Sequence, residues 1–186
     1  MSTHGTEDLR VRKTLKAIHD AFTSMLLEMP YEKITVKALC ERALVNKTTF
    51  YRYYPTLDDL LEELMREYAR PYVERTRGLR YPQDIDGIVR EFMIYSAEQG
   101  PLYDAILSGG AYTGIMSKVL DAMGEERTQE NQKPAGWSDA EWSLYLTHVN
   151  TSQIRLYKQW VEDGRVLPAS RMADMAVRLI CDGARI

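Results

Sequence analysis

The chain has 186 residues and a mass of 21.5 kDa, which allows one or two small domains and excludes a large multidomain enzyme. Hydrophobic residues make up 45% and charged residues 27%, a composition typical of folded globular proteins. No apolar run reaches the roughly 18 residues that a membrane helix needs, and the polar N-terminus lacks a secretory signal. Cys40 and Cys181 lie far apart without metal-ligand neighbours, so we expect a reduced, cytoplasmic protein.

The net charge of −3 conceals an asymmetry along the chain. Residues 1–56 hold nine Lys and Arg against six Asp and Glu, whereas the remainder holds 15 basic and 21 acidic residues. The basic N-terminal segment and the acidic remainder indicate that only the N-terminal end of the molecule would bind a polyanion.

Helical periodicity dominates the first 70 residues. Apolar residues at steps of three and four predict a helix over 8–28, ended by Met29-Pro30-Tyr31. Thr35 is typical of the N-cap of a short helix over 36–42, and Asn46 of the N-cap of a second one reaching Tyr53 or Tyr54. After Pro55, the Thr56 to Asp59 segment resembles a capping box and opens a long helix towards Pro71 or slightly beyond.

The rest of the chain is also predicted to be helical. Asp84 is a candidate cap, Gly100-Pro101 and Gly109-Gly110 are breaks around a short helix, and another helix is expected around 115–123. The polar segment 125–136 is expected to be a loop. A capping box at Ser138 opens a long helix ended by Gly164, and a last helix runs from Pro168 to about Gly183. With no strand-like alternation, the predicted fold is all-α.

Residues 35–54 have the order helix, tight turn, helix of a helix-turn-helix module. At about 100° per residue, Phe50 and Tyr54 fall on the inward face of the second helix. The opposite face carries hydroxyl, phenol and cationic side chains, which suit phosphate oxygens and base edges. This pattern favours nucleic-acid binding over simple packing of a three-helix bundle.

Residues 34–36 (ITV) and 45–54 (VNKTTFYRYY), with the proline and capping residue that follow, resemble the N-terminal DNA-binding domain of TetR-family transcriptional regulators. The similarity spans roughly residues 8–68. The C-terminal part is similar, more weakly, to the subgroup that includes the dihydroxyacetone-kinase regulators. The resemblance implies a helix-turn-helix DNA-binding domain over 8–56 and a helical ligand-binding and dimerisation domain over 57–186. The implied function is a cytoplasmic repressor that binds a palindromic operator as a dimer and is released by an effector.

The resemblance also implies roles for individual residues. Thr35 and Lys37 would contact phosphate or a base at the start of the second helix. Base edges in the major groove would face Lys47, Thr48 and Tyr51, and the DNA backbone would be held by Thr49, Arg52 and Tyr53. Two positions depart from the family pattern: Leu44 stands where glycine is usual in the turn, and Leu57 stands where a phosphate-binding lysine is usual.

Two short recognition helices on one palindrome require a dimer. We expect the homodimer interface on the apolar stripes of the last two helices (Trp142, Tyr145, Leu146 and Val149; Met172, Met175, Ala176 and Leu179). The effector is expected to be a small molecule or a protein. Candidate pocket residues are Phe92, Met93, Tyr103, Met116, Trp142, Tyr145 and His148, since methionine and tyrosine suit an adaptable cavity.

Enzymatic and metal-binding functions are not supported by the sequence. Histidine occurs only at positions 4, 19 and 148, and neither cysteine has a base nearby in sequence. No paired metal-ligand spacing occurs, and Ser108-Gly109-Gly110-Ala111 lacks the Lys-Ser/Thr of a phosphate loop. We therefore expect no cofactor and no metal. The alternative to a DNA-binding regulator is a helical module that binds another protein through its N-terminal domain without contacting DNA.

Overall fold

The computed structural model describes residues 3–108 and 133–182, and the side chains within these ranges except those of 3–8 and 108. The predicted helix around 115–123 therefore lies outside the described residues, as do Met116, the Gly109-Gly110 break and most of the predicted loop. The helices are α1 (Thr3–Glu28), α2 (Val36–Ala43), α3 (Lys47–Tyr53), α4 (Leu57–Arg75), α5 (Ile85–Ala97), α6 (Pro101–Ser108), α7 (Asp139–Glu162) and α8 (Ala169–Val177). A 3₁₀ turn, Tyr31–Lys33, precedes α2, and a π-helical turn, Arg178–Asp182, extends α8.

The described residues contain helices and no strand, which confirms the predicted all-α fold. None of the helices in these ranges has the length and hydropathy that a bilayer crossing demands. Helix α1 begins at Thr3, five residues earlier than the apolar pattern predicted, and α4 continues through Pro71 to Arg75.

Three helices at the N-terminal end pack around one small core. Helix α2 packs on α1, and α3 packs on α2. The predicted stripe of α1 supplies Ile18, Phe22 and Met25, which are buried against Leu39 of α2 and Phe50 of α3. Helices of seven or eight residues are not stable in isolation, so this shared core is what keeps α2 and α3 folded.

Local capping interactions define where most helices begin. The Thr35 hydroxyl accepts a hydrogen bond from the Ala38 N–H at 3.2 Å, and the Asn46 side chain accepts one from the Thr49 N–H at 2.7 Å. Complete capping boxes open α4 at Thr56 and α7 at Ser138. Each of these side chains satisfies a backbone donor that the helix itself leaves unpaired.

Asp84 is the exception among the predicted caps. It stands at the N-cap of α5, as expected, but its side chain caps nothing. The carboxylate instead accepts the Arg80 N–H at 2.9 Å, because the chain turns back before α5 and brings that donor closer. The helix boundary was predicted correctly, although the interaction that was expected to set it is absent.

The C-terminal helices pack around α5. Helix α8 lies along α5, and α7 packs on α5, α6 and α8. Ile88, Val89 and Met93 of α5 are buried at the centre. Helix α6 also contacts α1, so the apolar core runs without interruption from the N-terminal helices into this bundle.

The predicted dimer stripes on the last two helices are only partly available for contact with a second chain. Val149, Met172 and Ala176 are buried in the chain's own core. Met175 and Leu179 remain partly exposed. The predicted spacing of the apolar residues was correct, but several of them pack α7 and α8 against α5 and α6.

Candidate functional site

Helix α3 presents a polar face to solvent. Lys47, Thr48 and Arg52 are exposed, and Tyr51 has 52% of its surface accessible. Thr49 and Tyr53, on the flanks, are half-buried. The side chains of Lys47, Thr48, Tyr51 and Arg52 make no hydrogen bond within the described residues, so their donors and acceptors remain available to a partner.

Aromatic packing fixes the orientation of that face. Phe50 is fully buried and meets Tyr51 edge-on, with ring centroids 5.4 Å apart. Tyr54, just beyond α3, is buried beside Phe50, and a 2.9 Å hydrogen bond joins its hydroxyl to His19 Nε2 of α1. Because both ends of the inward face are held, the outward face cannot rotate freely about the helix axis.

The start of α2 combines a cap with an exposed cation. Thr35 is exposed, and its hydroxyl already serves as the helix cap. Lys37 is exposed and has only a loose contact with Glu41, 3.9 Å between Nζ and Oε1. The first turn of α2 thus offers free N–H groups, the positive end of the helix dipole and a mobile ammonium group, a combination suited to an anion.

The turn between α2 and α3 contains the first departure from the family pattern. Leu44 adopts φ 56° and ψ 37°, the left-handed region, and is 92% exposed. This is the conformation that glycine supplies at no steric cost. Leucine adopts it here at a cost of about 1–2 kcal/mol, while the Val45 N–H donates to the Cys40 carbonyl at 3.0 Å.

The start of α4 contains the second departure. Leu57 is half-buried, and the first turn of α4 carries Asp58 and Asp59. The Asp59 carboxylate is used in the capping box, and Asp58 accepts a hydrogen bond from the Tyr31 hydroxyl. Burial and this carboxylate raise the pKa of Tyr31. No cation is present at this turn, as the sequence indicated.

Cations of the N-terminal region divide into two groups. Lys16 is paired with Asp20, and Arg42 with Glu28, both at 2.7 Å. Arg10, Lys13, Lys33, Lys47 and Arg52 have no carboxylate partner within residues 9–108 and 133–182. Arg10 and Lys13 line an open cleft between α1 and the Ala43–Val45 turn, so they lie beside the segment that leads into α3.

Arg10 and Lys13 were not singled out from the sequence. The available signal was their place on α1 outside the stripe that contains Ile18 and Phe22, with Lys13 opposite the stripe and Arg10 on its flank. What the sequence could not show is that α1 passes beside the turn before α3, because that contact joins residues about 30 positions apart.

A second candidate site is an aromatic cavity between α4, α5, α6 and α7. Six aromatic side chains line it together with Asn150, Gln153, Ile154 and Ala69; they are Tyr68, Tyr72, Tyr81, Phe92, Tyr95 and Tyr103. Of the predicted pocket residues, Phe92 and Tyr103 line the cavity. Met93 is fully buried elsewhere in the core, and His148 is exposed on α7.

Two further predicted pocket residues lie outside this cavity. Trp142 and Tyr145 do not line this cavity; their rings stack on each other at 5.4 Å, one helical turn nearer the start of α7. Gln153, which does line it, was not predicted. Its spacing from Val149 and Tyr157 places it on the buried stripe of α7, and that periodicity could have identified it.

The described side chains that line the cavity are uncharged. No Asp, Glu, Lys, Arg or His side chain is among them. Burial raises the pKa of Tyr68, Tyr95 and Tyr103, so these hydroxyls stay protonated at neutral pH. The described part of the site can therefore stack on a ring and exchange hydrogen bonds, but its side chains supply no counter-charge.

The described ranges give little support for metal binding or for catalysis by a cysteine nucleophile. No group of three His, Cys, Asp or Glu side chains there is arranged to hold a metal ion. Burial raises the pKa of Cys40 and, together with Asp86, raises the pKa of Cys181 to about 12. Both thiols are thus poor nucleophiles near neutral pH.

The comparison with protein families agrees with the interface on α3. Residues 18–64 match the model described as "Bacterial regulatory proteins, tetR family". This range contains the last part of α1 from Ile18 onward, all of α2 and α3, and the first turns of α4. No match is found among curated protein sequences.

Solved structures resemble the chain over nearly its whole length. A TetR transcriptional regulator from Streptococcus agalactiae 2603V has a TM-score of 0.64 and 22% identity, covering 94% of this chain and 97% of that one. The regulator FadR from Bacillus subtilis, solved in complex with stearoyl-CoA, has a TM-score of 0.52 and 15% identity, with coverage of 91% and 99%. At these identities the likeness concerns the fold.

The resemblance of the C-terminal part to the dihydroxyacetone-kinase regulators gains no support from the solved structures. The dihydroxyacetone kinase operon activator DhaS has a TM-score of only 0.41 and 16% identity, with coverage of 91% and 94%. The match of residues 18–64 is the specific finding, and it falls on the helices that carry the exposed polar face. The chain is accordingly a DNA-binding transcriptional regulator, and its residues 18–64 are similar to the tetR-family model.

Proposed function

We propose that the chain binds a palindromic DNA operator as a homodimer, represses transcription there, and leaves the operator when an effector occupies the aromatic cavity. The observation that carries the DNA-binding part is the outward face of α3. Lys47, Thr48, Tyr51 and Arg52 are exposed and free of intrachain hydrogen bonds, on a helix whose rotation is fixed by Phe50.

In this proposal α3 lies in the major groove. Lys47, Thr48 and Tyr51 face base edges, while Thr49, Arg52 and Tyr53 hold the sugar-phosphate backbone on either side. The start of α2 binds phosphate through its free N–H groups, with Thr35 and Lys37 beside them. Because Leu57 and the acidic start of α4 offer no cation, that end of the domain contributes little to phosphate binding.

Arg10 and Lys13 extend the proposed interface. They lie beside the turn that leads into α3 and lack carboxylate partners in the described ranges. An unpaired cation gains more from a phosphate than one already neutralised by a neighbour, since no ion pair must first be broken. We therefore assign them to phosphate contacts and exclude Lys16 and Arg42, which are paired.

Dimerisation follows from the small size of the recognition helix. Seven residues of α3 reach only a few base pairs, so specific binding needs two half-sites related by two-fold symmetry. An apolar groove between α7 and α8 supports this geometry. Leu156, Met175 and Leu179 line it together with exposed Val166 and Leu167. We propose this groove, and not the buried part of the predicted stripes, as the dimer interface.

Repression is the simplest mode of action for such a dimer, because a bound protein blocks polymerase without needing an activation surface. A relation to the dihydroxyacetone-kinase regulator subgroup would instead allow a protein effector. We propose no catalytic activity and, because the partner is duplex DNA, a cytoplasmic location.

Selection of bound sequences from a pool of random duplexes tests the proposal. The expected result is a palindromic consensus whose half-sites are one helical turn apart, or a multiple of one, and sedimentation of the free chain at about twice 21.5 kDa. Affinity for the selected duplex should fall steeply with added salt. Enrichment of no sequence, or a salt-independent affinity, would favour a module that binds protein.

A further inference from the structure

The aromatic cavity contains an unused hydrogen-bond acceptor. Gln153 is only 3% exposed, and its Oε1 has no hydrogen-bond partner in the described ranges. Leaving such an oxygen unpaired in a protein interior costs about 1–3 kcal/mol. Gln153 lines the cavity, so a molecule bound there can supply the missing donor.

The walls of the cavity define the shape of that molecule. Tyr72 meets Phe92 edge-on at 5.8 Å, and Tyr103 meets Tyr68 edge-on at 5.3 Å between ring centroids. Rings in these orientations offer faces and edges to a further ring, and such pairs prefer offset or edge-on contact. Contact with these oriented rings favours a flat aromatic group over a flexible acyl chain, which gains nothing from their orientation.

The absence of charge in the lining residues defines its ionic state. A buried anion would need a cation, and a buried cation would need a carboxylate. Neither kind of side chain is found among the lining residues within 3–108 and 133–182. The Arg75 guanidinium lies 5.1 Å from the centre of the Tyr95 ring, and it is already bound to Glu91 and Glu98. A neutral molecule is the class that the site can desolvate at least cost.

We propose that the aromatic cavity binds a small, uncharged aromatic molecule whose ring N–H or O–H group donates a hydrogen bond to Gln153 Oε1. The link between this ligand and release from DNA rests on the proposed function; the binding itself does not. Asn150 is one turn away on the same helix and also lines the cavity. It therefore provides a matched position at which an amide can be removed.

Three probes separate the features of the proposed ligand: indole, 1-methylindole and indole-3-carboxylate. The first has a ring donor, the second has nearly the same shape without it, and the third adds a negative charge. Their dissociation constants are measured by calorimetry on the full chain and on the variants Gln153→Leu and Asn150→Leu. Circular dichroism checks that each variant folds, and Gln153→Met replaces Gln153→Leu if the latter does not.

The wild-type chain is expected to bind indole at least about tenfold more tightly than 1-methylindole, the effect of one hydrogen bond to a buried acceptor. It is expected to bind indole-3-carboxylate weakest of the three. Gln153→Leu should bind indole and 1-methylindole equally, whereas Asn150→Leu should keep the preference. A preference that survives in Gln153→Leu, tighter binding of the carboxylate, or binding of none of the probes would overturn the proposal.

The outcome is separable from that of the proposed function, because binding to the selected duplex is measured without probes. A chain that binds its duplex but none of the indoles disproves the ligand assignment alone. A chain that binds indole through Gln153 but selects no duplex disproves the operator model alone.

Discussion

The N-terminal region (residues 9–56) and the C-terminal region (residues 57–108 and 133–182) use their polar groups in opposite ways. In the N-terminal region, Arg10, Lys13, Lys47 and Arg52 point to solvent without carboxylate partners in the described ranges. In the C-terminal region most basic side chains are paired, as Arg75 is with Glu91 and Glu98 and Arg90 with Asp174. Among the described residues of the C-terminal region, the buried side-chain atoms without a hydrogen-bond partner are Gln153 Oε1 and the Tyr145 hydroxyl oxygen.

The difference indicates what kind of partner each region binds. A surface with free cations and hydroxyls has its strongest interactions with an external polyanion. A region that neutralises its own charges and keeps an unpaired acceptor in an aromatic cavity has its strongest interactions with a small neutral molecule.

The largest expected effect is on the outward face of α3. Lys47→Ala and Tyr51→Ala should each weaken operator binding by about 1–3 kcal/mol per half-site, and a homodimer carries each substitution twice. The resulting loss is about 30-fold or more, with helix content and dimerisation unchanged. Fluorescence anisotropy with the selected duplex measures it. Arg70→Ala, on the exposed side of α4, is the control and should bind normally.

A smaller effect is expected from the unpaired cations of α1. Replacing Arg10 and Lys13 together by Gln should make the plot of log affinity against log salt shallower by about 1.8 per protomer, since each lost phosphate contact removes about 0.9. Lys16→Gln, which removes a cation already paired with Asp20, should leave the slope unchanged. Equal slopes for both variants would contradict the division between paired and free cations.

Two tyrosines of α7 test the interior of the C-terminal region. The buried Tyr157 hydroxyl donates to the Ser96 carbonyl at 2.8 Å and to Asp104 Oδ1 at 2.7 Å, and Asp104 also binds Arg165. Tyr157→Phe should lower the free energy of unfolding by about 1–3 kcal/mol. Tyr145→Phe removes a buried hydroxyl without a described partner and should cost nothing. Urea denaturation of both variants makes the comparison.

The smallest expected effect is at the turn before α3. Leu44→Gly should raise the free energy of unfolding by up to about 1 kcal/mol, because glycine adopts the left-handed conformation without a steric cost. Leu44→Ala keeps the Cβ atom and should change stability little. A gain from alanine as large as that from glycine would show that the exposed leucine side chain, and not the backbone, is responsible.

Features that depend on neighbours in sequence were predictable. The sequence predicts the caps at Thr35, Asn46, Thr56 and Ser138, because a cap and its donor lie within one helical turn. The outward face of α3 follows from helical periodicity in the same way. The division at residue 56 stays a prediction, since one continuous core joins the two regions.

Features that depend on how helices meet were not predictable. The sequence could suggest the pair of Lys16 with Asp20, four residues apart, but not that of Arg42 with Glu28 across two helices. For the same reason, the sequence did not show which residues of α7 line the cavity. Trp142 and His148 lie on the helix that lines the cavity, but only the packing of α7 against α4 and α5 decides which of its turns does so.

The separation of roles within α3 has a consequence for redesign. Phe50 and Tyr54 keep the helix in place, whereas Lys47, Thr48 and Arg52 bond to nothing else in the described ranges. Their identities are therefore not constrained by folding. A library randomised at these three positions should yield mostly folded chains that differ in the duplex they prefer, so this scaffold is suited to retargeting.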